Sequence, residues 1–231
     1  MRRRRRRKTS LIGSRCADST SINGPLKASA HKGQRVNIFV ALIAIVVSYA
    51  FGTIPSAIVV ARAKGVDITT FGSGNPGASN VARAIGWKYG IIVFAIDAAK
   101  GALPAVVMLG HRPTAYLCGA AAILGHIFPV NRQFKGGKGI ATGGGVLLAL
   151  HPPIMVIAVA VWVVVMKLSK KASVASIVIV PLVLVLLAVW GKPTWEILSF
   201  IGIGLLIEIR HLSNIKRLLT GSEPPVTGRS N

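Results

Sequence analysis

The sequence predicts an all-α integral membrane protein, a seven-transmembrane-helix bundle whose glycine-rich loops share the cytoplasmic face. Three observations predict it. Charged residues make up only 15% of the chain and hydrophobic residues 52%, where a soluble domain carries roughly a quarter charged. The runs 37–61 and 172–191 hold no ionisable side chain, and each reaches the roughly 20 residues that cross a hydrocarbon core. The basic residues outside the N-terminal region fall in alternate loops, as membrane proteins use them to set orientation.

Along the chain, residues 1–36 come first. They hold 11 of the 28 lysines and arginines, including the run Arg2 to Arg7, and show no apolar period. The segment reads as a disordered basic extension. It is not a secretory signal, because the apolar stretch behind it has full spanning length and no cleavage-type site follows. A transit segment and a misassigned start both fit it, so the fold is read without it. The membrane domain covers 37–226, and 227–231 read as a disordered tail.

The first span is 37–61. The polar segment 62–89 follows, then the span 90–110 with Asp97 and Lys100 inside it. The turn at His111, Arg112 and Pro113 leads to the span 114–130 and the loop 131–138. A short apolar piece, 139–150, ends at His151, Pro152 and Pro153. The spans 154–166, 172–191 and 194–209 complete the set.

The short piece decides the topology. As a helix it rises only about 18 Å, less than the core thickness. If it crosses, the segments 62–89, 131–138, 167–171 and 210–217 share one side and gather thirteen basic residues. The opposite loops then hold only Arg112 and Lys192. If it does not cross, the 167–171 cluster changes side and the asymmetry weakens. The positive-inside rule therefore selects seven spans with the basic face in the cytoplasm. One fact opposes this: an odd number of spans leaves the arginine run outside.

Several classes of function are excluded. A net charge of +22 invites a nucleic-acid reading, but no reading module or aromatic platform appears. Cys16 and Cys118 make neither a disulfide framework nor a metal-ligand spacing, so no metal and no cofactor is expected. Only six residues are acidic, with no close carboxylate pair for hydrolysis. No serine nucleophile elbow appears. The His-x4-Asp pattern of a large acyltransferase class is also missing, since Asn131 stands at that offset from His126.

Three polar motifs remain, and the topology brings all of them to one face. The first is GSGNPGASN, residues 72–80. Its glycines permit positive φ, so successive N–H groups converge on an anion. Ser73 or Asn75 is placed to cap a following helix over 76–85, and Arg83 on that helix offers a bidentate contact. An ordinary glycine-rich loop capping an interfacial helix fits equally well. The second motif is FKGGKGIAT, with Lys135, Gly136, Gly137 and Lys138. It is not a nucleotide P-loop, because Arg132 holds the place of the first glycine and Gly139 follows the lysine. Lys138 stands at a span entrance and reads as a phosphate contact, Lys135 equally well as an orientation anchor. The third motif is RHLSNIKRLL, residues 210–219. His211 and Asn214 share a helix face, so they aim at one ligand. Lys216 reads as a contact to anionic lipid. Within the spans, Asp97 and Lys100 are spaced for a mutual structural ion pair. His126 reads as a satisfied interior histidine. Ser173 and Ser176 read as serines bonded to their own helix.

Taken together, the motifs GSGNPGASNVARAIG, GHIFPVNRQFKGGKGIAT and RHLSNIKRLLTGSE resemble the bacterial acyl-phosphate:glycerol-3-phosphate acyltransferase family. GTIPSAIVVARAKGVDI, FAIDAAKG and SVASI fit it between them, and the likeness covers roughly 37–226. The resemblance implies a multi-pass enzyme of the bacterial inner membrane, with its active site on the cytoplasmic face. It would move an acyl chain from acyl phosphate to the 1-hydroxyl of glycerol 3-phosphate, giving lysophosphatidic acid and phosphate. A separate enzyme would supply the acyl phosphate, and no metal is needed. Ser73, Arg83, Lys138, Ser176, His211 and Asn214 match substrate-binding or catalytic positions, with Ser73, Lys138 and His211 catalytic. Gly74, Asn75, Gly136 and Gly137 would help to cradle phosphate. Ser79 stands where threonine is common, and Asn131 where an aromatic is common. An activated donor needs no covalent nucleophile. His211, Ser73 and a substrate phosphate oxygen all remain open as acceptor of the hydroxyl proton. A transporter or binding protein for a phosphate ester is the alternative from another class, although no internal repeat is found. An acyl-CoA-dependent enzyme differs only in its donor.

Overall fold

The computed structural model describes residues 36–226. The expected basic extension and tail lie, apart from residue 36, outside the described residues. Among the described residues the regular elements are helical: α1 (Ile38–Gly52), α2 (Ser56–Arg62), α3 (Ala78–Ile85), α4 (Trp87–Val107), α5 (Arg112–Ile127), α6 (Ile140–Leu150), α7 (Pro152–Ser169), α8 (Ala172–Val189) and α9 (Thr194–Leu219). Five stretches are long and apolar enough to cross a membrane: Ile38–Arg62, Trp87–Val107, Arg112–Arg132, Pro152–Ser169 and Ala172–Val189. The α6 helix is apolar but shorter. Phe39, Ile43 and Val47 point outward from α1, as a lipid-facing helix requires.

The helices approach closely because small residues stand where they touch. A Cβ added at Gly101 would strike the Thr142 carbonyl, and one added at Gly145 would strike the Ala98 carbonyl. Those contacts bring α4 and α6 backbone to backbone. Gly52 and Gly125 do the same for α1 and α5, where added Cβ atoms would strike the carbonyls of Ala122 and Tyr49. Lipid gives apolar side chains no reason to leave it, so close backbone packing is what joins helices there.

Two elements differ from the sequence expectation. The run 37–61 was expected as one continuous span, but it breaks at Thr53, Ile54 and Pro55. Pro55 cannot donate a helical hydrogen bond and crowds the residue before it. The break leaves the Ile54 carbonyl without a helical partner, and Lys100 Nζ donates to it at 2.7 Å. The same ammonium lies 2.6 Å from Asp97 Oδ1, and Ser56 Oγ donates to that oxygen at 2.5 Å. Lys100 and Asp97 are each only 1% exposed. The expected ion pair is therefore present, and it also fastens the broken helix to α4. The second difference is α9, which does not stop at residue 209. It continues unbroken to Leu219, so the third polar motif rides on the last apolar helix.

Breaking the pair tests this account. Lys100→Met leaves a buried carboxylate unpaired and is expected to cost about 3–5 kcal/mol, whereas joining it to Asp97→Asn recovers part of that loss. Thermal unfolding in detergent measures both. A single variant as stable as the wild type would contradict the role given to the pair.

Candidate active site

The first motif is organised by Asn80, which is buried on α3. Its amide nitrogen donates to the carbonyls of Ile68 at 3.2 Å and Phe71 at 2.9 Å. Its oxygen accepts from Ser73 N at 3.3 Å and from Arg83 Nη1 at 3.0 Å. One side chain thus ties the loop to the guanidinium. Gly72 and Gly74 take positive φ, 56° and 67°, and a Cβ at Gly72 would lie 2.7 Å from the Asn80 oxygen. The expected cap is not formed. Gly77 is the N-cap, in extended conformation and with no side-chain cap. Ser73 Oγ instead accepts from Asn75 N at 3.4 Å, within the loop.

In the second motif, Gly136 N donates to Ile127 O at 3.2 Å and Gly137 N to His126 O at 3.1 Å. A Cβ at Gly136 would collide with those carbonyls, and one at Gly137 with the His126 ring. The two glycines let the loop lie flat against the end of α5, and His126 is held beneath it. Gly139, at φ 88°, then turns the chain into α6. Lys138 is therefore delivered to a fixed place, where its Nζ donates to Asn214 Oδ1.

The third motif meets it there. His211 and Asn214 are both buried on the same face of α9. His211 Nδ1 lies 2.8 Å from the Ile207 carbonyl. A carbonyl only accepts, so the proton sits on Nδ1 and Nε2 keeps its lone pair. Asn214 Nδ2 donates to Glu223 Oε1 at 2.7 Å, and Arg217 Nε donates to Glu223 Oε2 at 2.7 Å. Arg83 Nε donates to Pro225 O at 2.8 Å, and Val226 N to Lys170 O at 2.9 Å. The segment after α9 thus joins α3, α9 and the α7–α8 turn.

Electrostatics follow from this crowding. Burial, and then the positive charges of Arg217, Arg210 and Arg83, push the Lys138 ammonium down to about 8, against the pull of Glu223. Burial raises Glu223, but the donors around it, Asn214 and Arg217 among them, win and hold its carboxyl below the usual range. In the sequence Glu223 is only the end of the third motif. Its signal was its rarity, an acid directly behind a strongly cationic helix.

A cavity of about 400 Å³ opens beside these groups. Asn75, Lys138, Ser176 and His211 line its polar end together with Ser79, Asp97 and His126, and α3 to α9 line the rest with mostly apolar side chains. Ser176 Oγ accepts from Trp162 Nε1 at 3.2 Å, so it bonds across to α7 rather than to its own helix. Ser73, Gly74, Arg83, Gly136, Gly137 and Asn214 do not form the wall. Ser73 joins it through Asn75 and Asn214 through Lys138, while Arg83 stands behind, tied to Asn80 and Pro225. Gly74 shapes the loop, and the two glycines of the second motif set Lys138. Among the described residues, no three His, Cys, Asp or Glu side chains gather as a metal site.

Residues 42–221 match the sequence profile described as Glycerol-3-phosphate acyltransferase. The chain belongs to that family. A glycerol-3-phosphate acyltransferase of Aquifex aeolicus is 41% identical over 187 residues, 79% of this chain and 97% of the relative. One of Pseudomonas aeruginosa (strain LESB58) is 40% identical over 183 residues, 77% and 95% of the two chains. Two crystal structures of PlsY, an integral membrane glycerol 3-phosphate acyltransferase, share the fold at 40% identity. The glycerol 3-phosphate form has a TM-score of 0.78 and covers 82% of this chain and 96% of its own. The lysophosphatidic acid form has a TM-score of 0.76, with coverages of 80% and 95%. The chain is thus an integral membrane acyltransferase, and the loops, α9 and the cavity all lie within the shared region or at its edge.

The Asn80 hub makes a sharp prediction for this acyltransferase. Asn80→Ala removes partners from several buried groups at once, at about 1–3 kcal/mol for each one left unsatisfied. Amide hydrogen exchange at Gly72 to Gly77 should quicken while that of α4 stays slow. Unchanged exchange in the loop would show that Asn80 does not hold it.

Proposed function

We propose that the chain transfers an acyl group from acyl phosphate to the 1-hydroxyl of glycerol 3-phosphate, releasing lysophosphatidic acid and inorganic phosphate. The observation that carries this reading is the cavity, cationic and hydrogen-bonding at one end and apolar along its length. An acyl phosphate has that same division. Neighbours of the same fold, described in glycerol 3-phosphate and lysophosphatidic acid forms, support the acceptor and the product.

In this reading the cationic set holds both phosphates. Lys138 and Arg83 carry the charge, the Asn75 side-chain amide at the cavity wall offers N–H donors, the 72–77 loop holds Asn75 in place, and Asn214 and Ser176 orient the ligands. Gly136 and Gly137 act through Lys138. Fixed in that way, hydroxyl and acyl carbon meet without a large entropic barrier. The hydroxyl oxygen bonds to the acyl carbon, the bond from that carbon to the phosphate oxygen breaks, and phosphate leaves with the electron pair. His211 Nε2, its lone pair free, accepts the hydroxyl proton, and Ser73 stabilises the loop that faces it.

Adding α6 and α9 to the five long apolar stretches gives seven crossings. The charge distribution supports this count, and with it a site on the cytoplasmic face of a bacterial inner membrane. There a separate acyl-phosphate-forming enzyme delivers the donor. Membrane lipid surrounds the bundle, and no nucleic acid takes part.

Purified protein with labelled glycerol 3-phosphate and either acyl phosphate or acyl-CoA tests the reading. Acylated product from acyl phosphate is expected. Product from neither donor would sink it, and product from acyl-CoA alone would replace the donor. Lys138→Ala should lower kcat by about 10²–10³-fold, as loss of a stabilising cation does, while wild-type rates would remove Lys138 from the mechanism. The pH profile carries a sign. Lys138 is pushed down to about 8, so affinity for the phosphate dianion, present above about pH 6, should fall as pH rises through that value. In Lys138→Arg, which stays charged, the alkaline fall should vanish.

A further inference from the structure

The apolar end of the cavity is closed by a wall that the chemistry at the other end does not use. Along α9 the cavity is lined by His211, Ile207, Gly204, Ile203 and Phe200, one face of one helix. No α9 residue before Phe200 contributes. On the other helices the lining stops at Leu147, Met155 and Leu184. Beyond them Leu150, Ile154 and Leu187 are buried in the packed core. The eleven steps from Phe200 to His211 rise about 16 Å along a helix. That is close to half of a roughly 30 Å hydrocarbon core, the depth of one leaflet and hence of one lipid acyl chain.

Phe200 is unusually well supported. Its ring packs edge-on against Tyr116, with centroids 5.7 Å apart, and against His151 at 5.9 Å. Behind these rings is a polar cluster centred on the buried Glu196, with Arg112 at its partly exposed edge. Arg112 donates to both oxygens of Glu196 at 2.8 and 3.0 Å. Tyr116 Oη donates to Glu196 Oε2 at 2.7 Å. His151 Nε2 lies 2.7 Å from Tyr116 Oη and 3.1 Å from Glu196 Oε2. Three helices, α5, α7 at its cap and α9, are tied by this one carboxylate. A satisfied polar network of this kind resists displacement, because any shift leaves a buried group unpaired. An apolar wall resting on lipid-like side chains would yield to a longer ligand. This one is braced.

We propose that Phe200, seated on the Arg112–Glu196–Tyr116–His151 cluster, is the end stop that sets the longest acyl chain the enzyme accepts. The proposal rests on the acyl-transfer reading above. Glu196 acts as a positioning residue, through Tyr116 and His151. Gly143 lies on the same cavity wall nearer the polar end, where an added Cβ would meet Ile207 Cδ1 at 3.4 Å, so bulk there shortens the space.

The test is kcat/KM for a series of saturated acyl phosphates of increasing length, in wild type, Phe200→Ala, Phe200→Leu, Gly143→Val and Glu196→Gln. Wild type should show a cut-off, with a loss of roughly 10-fold or more for the first chain that does not fit. Phe200→Ala and Phe200→Leu should move that cut-off to longer chains. Gly143→Val should move it to shorter ones, and Glu196→Gln should blur it. A wild type with no cut-off overturns the proposal without any variant. So does an unchanged cut-off in Phe200→Leu, the substitution closest to the native packing. If no donor of any length gives product, the acyl-transfer reading itself fails, which is a separate result.

Discussion

Glu223 draws Asn214 and Arg217 onto its two carboxylate oxygens, and Asn214 in turn receives Lys138. The active end of the molecule depends on that chain of contacts. Lys138, Arg83, Arg210 and Arg217 repel one another, and burial together with that repulsion holds the Lys138 ammonium low. Without a buried acid among them they would separate into solvent. With it, they stay close enough to act on one ligand and remain short of neutralisation. In the proposed function, a substrate phosphate is the second anion that completes what Glu223 begins. The segment that carries Glu223 also reaches Arg83 and Lys170 through Pro225 and Val226. Three parts of the sequence far from one another thus become one surface.

The membrane part supplies rigidity to that surface by different means. Glycines let α4 meet α6 and α1 meet α5 at backbone distance. A buried ion pair satisfies the carbonyl released where the first span breaks. Both devices answer the same constraint: hydrocarbon offers no water to complete a polar group, so each must be matched inside the protein. The cluster around Glu196 at the opposite end obeys it too. The cavity runs between these two polar ends, and its apolar walls need no such matching.

Much of this was legible in the sequence because charge and glycine are legible. Uncharged runs marked the long helices, and the three polar motifs marked the places that meet around Lys138. What escaped notice depends on tertiary contacts. Pro55 breaks a run that hydropathy alone reads as continuous. The charge in RHLSNIKRLL hid the fact that α9 simply continues. Asn80 looked like one more polar residue in a glycine-rich motif, but the loop closes on its side chain. Glu223 and Glu196 each stand 9 and 84 residues away from partners that give them meaning, and no local pattern encodes such a pairing. Ser176, read as bonded to its own helix, takes its partner from Trp162 on the neighbouring one.

In the proposed function one cationic mouth accommodates two phosphates at once. Equilibrium binding of glycerol 3-phosphate, measured by calorimetry with and without a non-transferable acyl phosphonate, tests it most directly. The two ligands are expected to bind together, so saturating phosphonate leaves a full glycerol 3-phosphate isotherm. Strict competition, with one ligand expelling the other, would contradict it.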